Sequence, residues 1–173
     1  MFKKILEKIK KFFSKTELTS KSEENTEKTR PTIALCDDAV IIYALGVMKK
    51  FDHIYLPNIC YKYLKNVADG KFVDFNSDDY AQQSINKVLA RTALEYVNAN
   101  KEWCSVIPNL DRVKFFVNIE EFEPKFKTRV IVSLACLYYE SGYDVCIYTR
   151  TREVIDCASL QPNIKVQFVD KYV

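Results

Sequence analysis

Hydrophobic and polar positions along this 173-residue chain change their period at regular intervals. The run TIALC at 32–36 is apolar after its first residue and predicts a short buried strand, with a helix over 38–50 behind it. HIYL at 53–56 predicts a second strand, stopped by Pro57, and 58–67 a second helix. Ser77, Asp78 and Asp79 supply a cap and first-turn acids for a long helix over 79–99. Its stripe of Ile85, Val88, Leu89, Thr92 and Tyr96 has the 3.6-residue period of a core-facing side. The stretch 103–107 is extended or irregular, and 113–117 is a further candidate strand. TRVIVSLACLYY at 128–139 predicts a nearly all-apolar helix ended by Ser141 and Gly142. A strand over 144–148, a helix over 151–160 and a last strand over 164–168 complete the chain.

Strands that alternate with helices predict right-handed β-α-β units. The expected fold class is therefore α/β: one three-layer domain with a central, mostly parallel sheet flanked by helices. Ligands of such sheets sit beyond the carboxyl ends of the strands. Those ends carry Asp37 and Asp38, Leu56 and Pro57, and Thr149 and Arg150.

The first thirty residues follow a different pattern. In MFKKILEKIKKFF, residues 1–13, Phe2, Ile5, Leu6, Ile9, Phe12 and Phe13 form one helical stripe, with five lysines and Glu7 opposite. Such a basic amphipathic helix either lies on an anionic membrane surface through residues 2–13 or docks on its own domain or a partner. Residues 14–30 hold one aliphatic side chain, Leu18, too little to offset ordering entropy, and predict a flexible polar linker. The α/β domain is then 31–173.

Charge follows the same division. Residues 1–30 carry nine Lys/Arg against five Glu, whereas the rest carries 17 Lys/Arg against 18 Asp/Glu. A nearly neutral body gives weak support to a nucleic-acid binder, whose charge usually sits on the domain itself. The six cysteines never form a C-x-x-C pair, and His53 is the only histidine, so zinc has no ligand set of the usual spacing. Buried, reduced thiols place the expected location in the cytoplasm, peripheral at a membrane surface if the leader binds one. With three glycines there is no glycine-rich phosphate loop. His53, beside Asp52, is read as an ordinary surface histidine, with no nucleophile or second ligand in any motif near it.

The order of elements resembles the PIN domain, a family of metal-dependent ribonucleases. Three stretches carry the resemblance over most of 32–169: TIALCDDAVII, YLPNICYKYL, and TRVIVSLACLYYESGYDVCIYTRTREVIDCASL. It implies carboxylates converging on Mg²⁺ or Mn²⁺, which hard oxygen ligands hold and which activates water. Asp37 takes the position of the family's first Asp. The other acidic positions fall on Tyr63, Thr128 and Thr151, with Lys62, Lys127, Arg129, Arg150 and Arg152 beside them.

One carboxylate among several cations makes a poor magnesium site, so the resemblance implies a degenerate pocket without a metal. Asp37 is expected to pair with Arg129, Arg150 or Arg152, and Asp38 to cap or begin the following helix. The first functional reading is a catalytically inactive module that binds RNA or a protein. In it Lys127, Arg129, Arg150 and Arg152, with Lys125, favour phosphate oxygens or remain solvated helix-end charges. The alternative is an active Mg- or Mn-dependent ribonuclease with displaced acids. Its candidates are Asp37, Asp38, Glu120, Glu121, Glu123 and Asp156, and its metal set Asp37, Glu121 and Glu123. A third, receiver-like reading takes Asp74 as phosphoacceptor and Thr149 as its partner. The tyrosines of YKY at 61–63 and YY at 138–139 belong to the core or stack on bases.

Overall fold

Ile33, Ala34, Leu35 and Cys36 of strand β1 (Thr32–Cys36) are all buried, so both faces of this strand are covered. The computed structural model describes residues 30–71, 80–108 and 124–170. The chain divides into two units, Met1–Pro31 and Thr32–Val173, and every described strand and helix belongs to the second. The helix expected at 1–13, the linker expected at 14–30 except Arg30, the cap at 77–79, the strand at 113–117, and Asp74, Glu120, Glu121 and Glu123 lie outside the described residues.

After β1 come helices α1 (Asp38–Tyr43) and α2 (Leu45–Met48), strand β2 (Ile54–Pro57), and helices α3 (Asn58–Asp69) and α4 (Tyr80–Ala99). Strand β3 (Cys104–Ile107), helix α5 (Phe126–Glu140), strand β4 (Asp144–Thr149), helix α6 (Arg152–Ser159) and strand β5 (Lys165–Phe168) complete the order. The single helix expected over 38–50 is two, because Ala44 leaves helical geometry at φ −131°. The stretch 103–107 resolves into β3.

The five described strands form one sheet in the order β3-β2-β1-β4-β5, and every pairing among them is parallel. This is the expected α/β domain with a parallel sheet between helices. Right-handed crossovers put α1, α3 and α4 on one face and α5 and α6 on the other, and α1 packs on α3 and α4 as α5 packs on α6. The strand order switches direction between β1 and β4, which makes their carboxyl ends the crevice of the sheet. The receiver-like order is 2-1-3-4-5; here β1 and β4 are direct neighbours, so the strand order departs from it.

Helices α3 and α4 lie antiparallel. Tyr61 donates to Asn98 Oδ1 at 2.9 Å, and Arg91 Nε donates to the Ala68 carbonyl at 3.0 Å. The stripe expected to face the core on α4 does not. Asn86, Ala90, Ala93 and Val97 are buried instead, while Ile85 and Val88 are 51% and 61% exposed. Alanines on the inner side admit close approach of a neighbouring helix, which the longer aliphatics would prevent. The buried Asn86 is tolerated because Gln82 Nε2 donates to its Oδ1 at 2.9 Å.

Helix α3 ends at Gly70, whose φ of +73° is left-handed, and the Lys71 N–H returns to Asn66 O at 2.9 Å. A side chain there meets backbone strain. Gly70→Ala is expected to lower stability by about 1 kcal/mol in urea unfolding.

Candidate functional site at the carboxyl edge of β1 and β4

Asp37 follows β1 directly and is fully buried. The register sets Cys36 opposite Tyr148, and the Asp37 N–H continues the ladder to Tyr148 O at 3.2 Å. Thr149 is therefore the side chain beside Asp37, and its hydroxyl donates to Asp37 Oδ2. The Thr151 hydroxyl donates to the same oxygen at 3.1 Å, and the Arg150 N–H lies at 3.4 Å. Oδ1 accepts from the Val40 N–H at 2.8 Å and so caps α1. The Thr151 N–H in turn donates to Thr149 Oγ1 at 2.9 Å, which orients that hydroxyl toward the carboxylate.

Among the described residues the donors to Asp37 are hydroxyl and N–H groups, not guanidinium groups. This corrects the expected pairing with Arg129, Arg150 or Arg152. Arg150 turns to the other side, donating to the Val169 carbonyl at 2.7 Å, with its guanidinium 5.9 Å from the Tyr43 ring and 5.7 Å from the Phe168 ring. Arg152 is exposed on α6 and pairs with Asp156 one turn on, at 3.0 Å. Arg129 sits in α5, half-buried. The physical reason is supply: donors at the end of β4 and the start of α1 already serve both Asp37 oxygens.

The ion pair falls one residue later. Asp38, 2% exposed and in the first turn of α1, accepts from Lys127 Nζ on both oxygens, at 2.9 and 3.1 Å. The same ammonium stands 4.6 Å from the centroid of the Tyr63 ring. Tyr63 and Lys127 are thus adjacent, and Thr151 is on Asp37, while Thr128 is buried in the first turn of α5. Lys127 comes from the helix on the opposite face of the sheet, so its pair with Asp38 straps α5 to α1 across the crevice.

Burial pushes the Asp37 carboxyl up, the charge of Asp38 adds to the push, and the hydrogen bonds of Thr149 and Val40 oppose it. Burial pulls the Lys127 ammonium down, but Asp38 outweighs it through charge and hydrogen bonding, and the net direction is up. Beneath the pair, the Cys60 thiol is raised by burial and then by Asp38 and Asp37. All six cysteines are free thiols, and Cys36, Cys60, Cys104 and Cys157 are buried.

These residues do not fit a hard divalent ion. Such an ion takes six or more oxygens, and here Asp37 and Asp38 present oxygens already occupied by donors. At an effective dielectric near 20, an ion of charge two about 5 Å from the Lys127 ammonium is repelled by roughly 6–7 kcal/mol. Among the described residues, no three His, Cys, Asp or Glu side chains gather to hold a metal. Of the alternative metal set, only Asp37 is described; Asp156 is taken by Arg152.

His53 is a half-buried cross-strand link rather than an ordinary surface side chain. Nδ1 lies 2.5 Å from the Glu102 carbonyl, which can only accept, so Nδ1 carries a proton; Nε2 is 3.0 Å from Ser105 Oγ. Tyr138 is core at 2% exposure and is no stacking surface, while Tyr61 is half-buried with its hydroxyl on Asn98 of α4. Pattern alone does not single out Tyr43 or Phe168, since Tyr43 ends a short helix and Phe168 ends an edge strand. No helix among the described residues is long and apolar enough to cross a membrane. No protein-family model matches this chain, and comparison with curated proteins finds no match.

Proposed function

We propose that the domain is a degenerate, PIN-like ribonuclease scaffold that has become a non-catalytic protein-binding module, with its contact surface at the carboxyl edge of the sheet. One observation carries this: the crevice is closed by Lys127 on Asp38, so the pocket that would hold an ion and a scissile phosphate is strapped shut by the protein's own charge. Two of the cations that the resemblance puts there are also satisfied internally, Arg150 on Val169 O and Arg152 on Asp156. Phosphate oxygens would have to displace those partners. By contrast Phe126 and Phe168, at the same edge, are 59% and 52% exposed, and aromatic side chains with Arg are the side chains that anchor protein interfaces.

A second reading, single-stranded RNA, is favoured by the exposed Phe168 ring with the Arg150 guanidinium 5.7 Å from its centroid, since bases stack on such rings. Lys125, Lys127, Arg129, Arg150 and Arg152 would then meet the backbone.

A photoreactive side chain at position 168 is expected to cross-link a discrete protein partner in cells. The same group at Leu160, equally exposed but at the far end of α6, is expected not to. Anisotropy of a labelled single-stranded RNA is expected to show no binding at physiological salt. Tight, steeply salt-dependent binding would replace the protein reading by the RNA one, and Mg- or Mn-dependent cleavage lost in Asp37→Ala would overturn both.

A further inference from the structure

Strand β5 ends the sheet on one side, and among the described residues no strand pairs with its outer edge. Its register against β4 fixes which backbone groups face out. Lys165 and Gln167 turn their N–H and C=O groups toward β4, and the Val169 N–H keeps the same parity, donating to Thr149 O at 3.0 Å. The N–H and C=O groups of Val166 and Phe168 therefore point away from the sheet. Such an open row is a template for another strand, and proteins usually blunt it with proline, a bulge or an inward charge. KVQF has no proline, and its one charge, Lys165, stands at the first position. Phe168 is 52% exposed on this edge.

We propose that β5 pairs antiparallel with β5 of a second copy of this chain, about a two-fold axis at Gln167, and carries the sheet from one protomer into the other. The strand is complementary to itself in this register. Val166 of each copy stands opposite Phe168 of the other, and these are the residues whose backbone groups face out. Each of the two pairs exchanges two hydrogen bonds, and their side chains meet as an aliphatic–aromatic pair, which stabilises a sheet. Gln167, exposed, meets its own copy at a non-hydrogen-bonded position. A slip of one residue would set outward groups against groups already bonded to β4, and a slip of two would leave one such pair within the strand. Charge agrees with the register. Lys165 falls opposite Val169 of the second copy, one residue from Asp170, which is 60% exposed and only 4.0 Å from Arg150 at its nearest. Opposite charges thus meet at both ends, while the two lysines stand about 13 Å apart, beyond a Debye length. This inference rests on the protein-binding reading above and names the partner that Phe168 meets.

The test is sedimentation velocity of the full chain between about 5 and 500 μM, the range in which a small interface exchanges. The mass is expected to rise with concentration from 20.2 kDa toward twice that value. Gln167→Glu sets two carboxylates directly opposite each other on an exposed position and is expected to weaken the dimer at least about tenfold. Val166→Pro removes only an outward donor and is expected to do the same with a Tm close to wild type. If the proline variant does not fold, the exposed Gln167→Glu carries the test. The register is read by diamide oxidation. Gln167→Cys is expected to give a disulfide-linked dimer above the wild-type background, because the two Cα atoms of a non-hydrogen-bonded pair lie about 4.5 Å apart. Lys165→Cys, displaced from its own copy, is expected to give none.

A wild type that stays at 20.2 kDa throughout overturns the proposal, as does a dimer that Gln167→Glu leaves intact, or a Lys165→Cys that links as readily as Gln167→Cys. A photo-cross-link from position 168 to a different protein and not to a second copy overturns it too, and leaves the protein-binding reading standing.

Discussion

Lys127→Met is expected to destabilise the domain by about 2–3 kcal/mol, whereas Asp38→Asn costs only about 1 kcal/mol. The asymmetry follows from reach. Without the ammonium, the Asp38 carboxylate is held at 3% exposure on the first turn of a short helix and cannot move to water. Without the carboxylate, Lys127 has a long stem, an exposure of 26% and a route outward. Removing one partner of a fully buried pair costs about 3–5 kcal/mol, and the partial exposure of Lys127 lowers that figure here. Combining the two substitutions is expected to cost only about 1 kcal/mol, less than Lys127→Met alone, giving a coupling energy of about 2–3 kcal/mol in a double-mutant cycle read by urea unfolding. Additive losses would mean that the two side chains do not act as a pair.

Asp37 separates two effects that a single substitution would confuse. Asp37→Ala is expected to cost about 2–4 kcal/mol, because it removes the cap of α1 and strands the Thr149 and Thr151 hydroxyls and the Val40 N–H without an acceptor. Asp37→Asn keeps the cap oxygen, and its amide can donate to hydroxyls that rotate to accept. It also removes a charge that burial disfavours.

The pH dependence then has a definite sign. The folded carboxyl of Asp37 is raised above its unfolded value, so between the two the native state binds more protons. The stability contributed by the protonated acid is fully present below the unfolded value, about pH 4, and is lost as pH rises through the folded one. The asparagine variant should therefore match wild type in acid and become the more stable of the two toward neutral pH. The difference between the two proteins isolates this carboxyl from the others, including Asp69, whose carboxyl Lys71 holds low and which titrates with the opposite sign. A gap that widens toward acid would refute the assignment.

Much of the fold is legible in the order of residues. Periods of two and of 3.6, with Pro57 and Gly142 as punctuation, are local properties of the backbone. They locate every described strand to within a residue or so, although 103–107 reads equally as extended or irregular. The α4 stripe departs from its pattern for a physical reason. Periodicity marks which residues share a side, but Ile85 and Val88 compete with Ala90 and Ala93 for the inner one, and the closeness of α3 decides it. The same limit applies at the site. That Asp37 and Asp38 end a buried strand is evident from pattern, and so are the cations at 127, 129, 150 and 152; which cation serves which acid is not.

The chain's own residue order was enough to determine an α/β domain with a parallel sheet and acids at the mouth of its crevice, because those are consequences of local periodicity and residue type. Tertiary structure alone decided that Asp37 is satisfied by hydroxyls and N–H groups, and that Lys127 crosses from the other face to Asp38. Those partners lie 89 and 112 residues apart in sequence for Lys127–Asp38 and Thr149–Asp37. Only the register of β1 against β4 and the direction of α5 bring them within bonding distance.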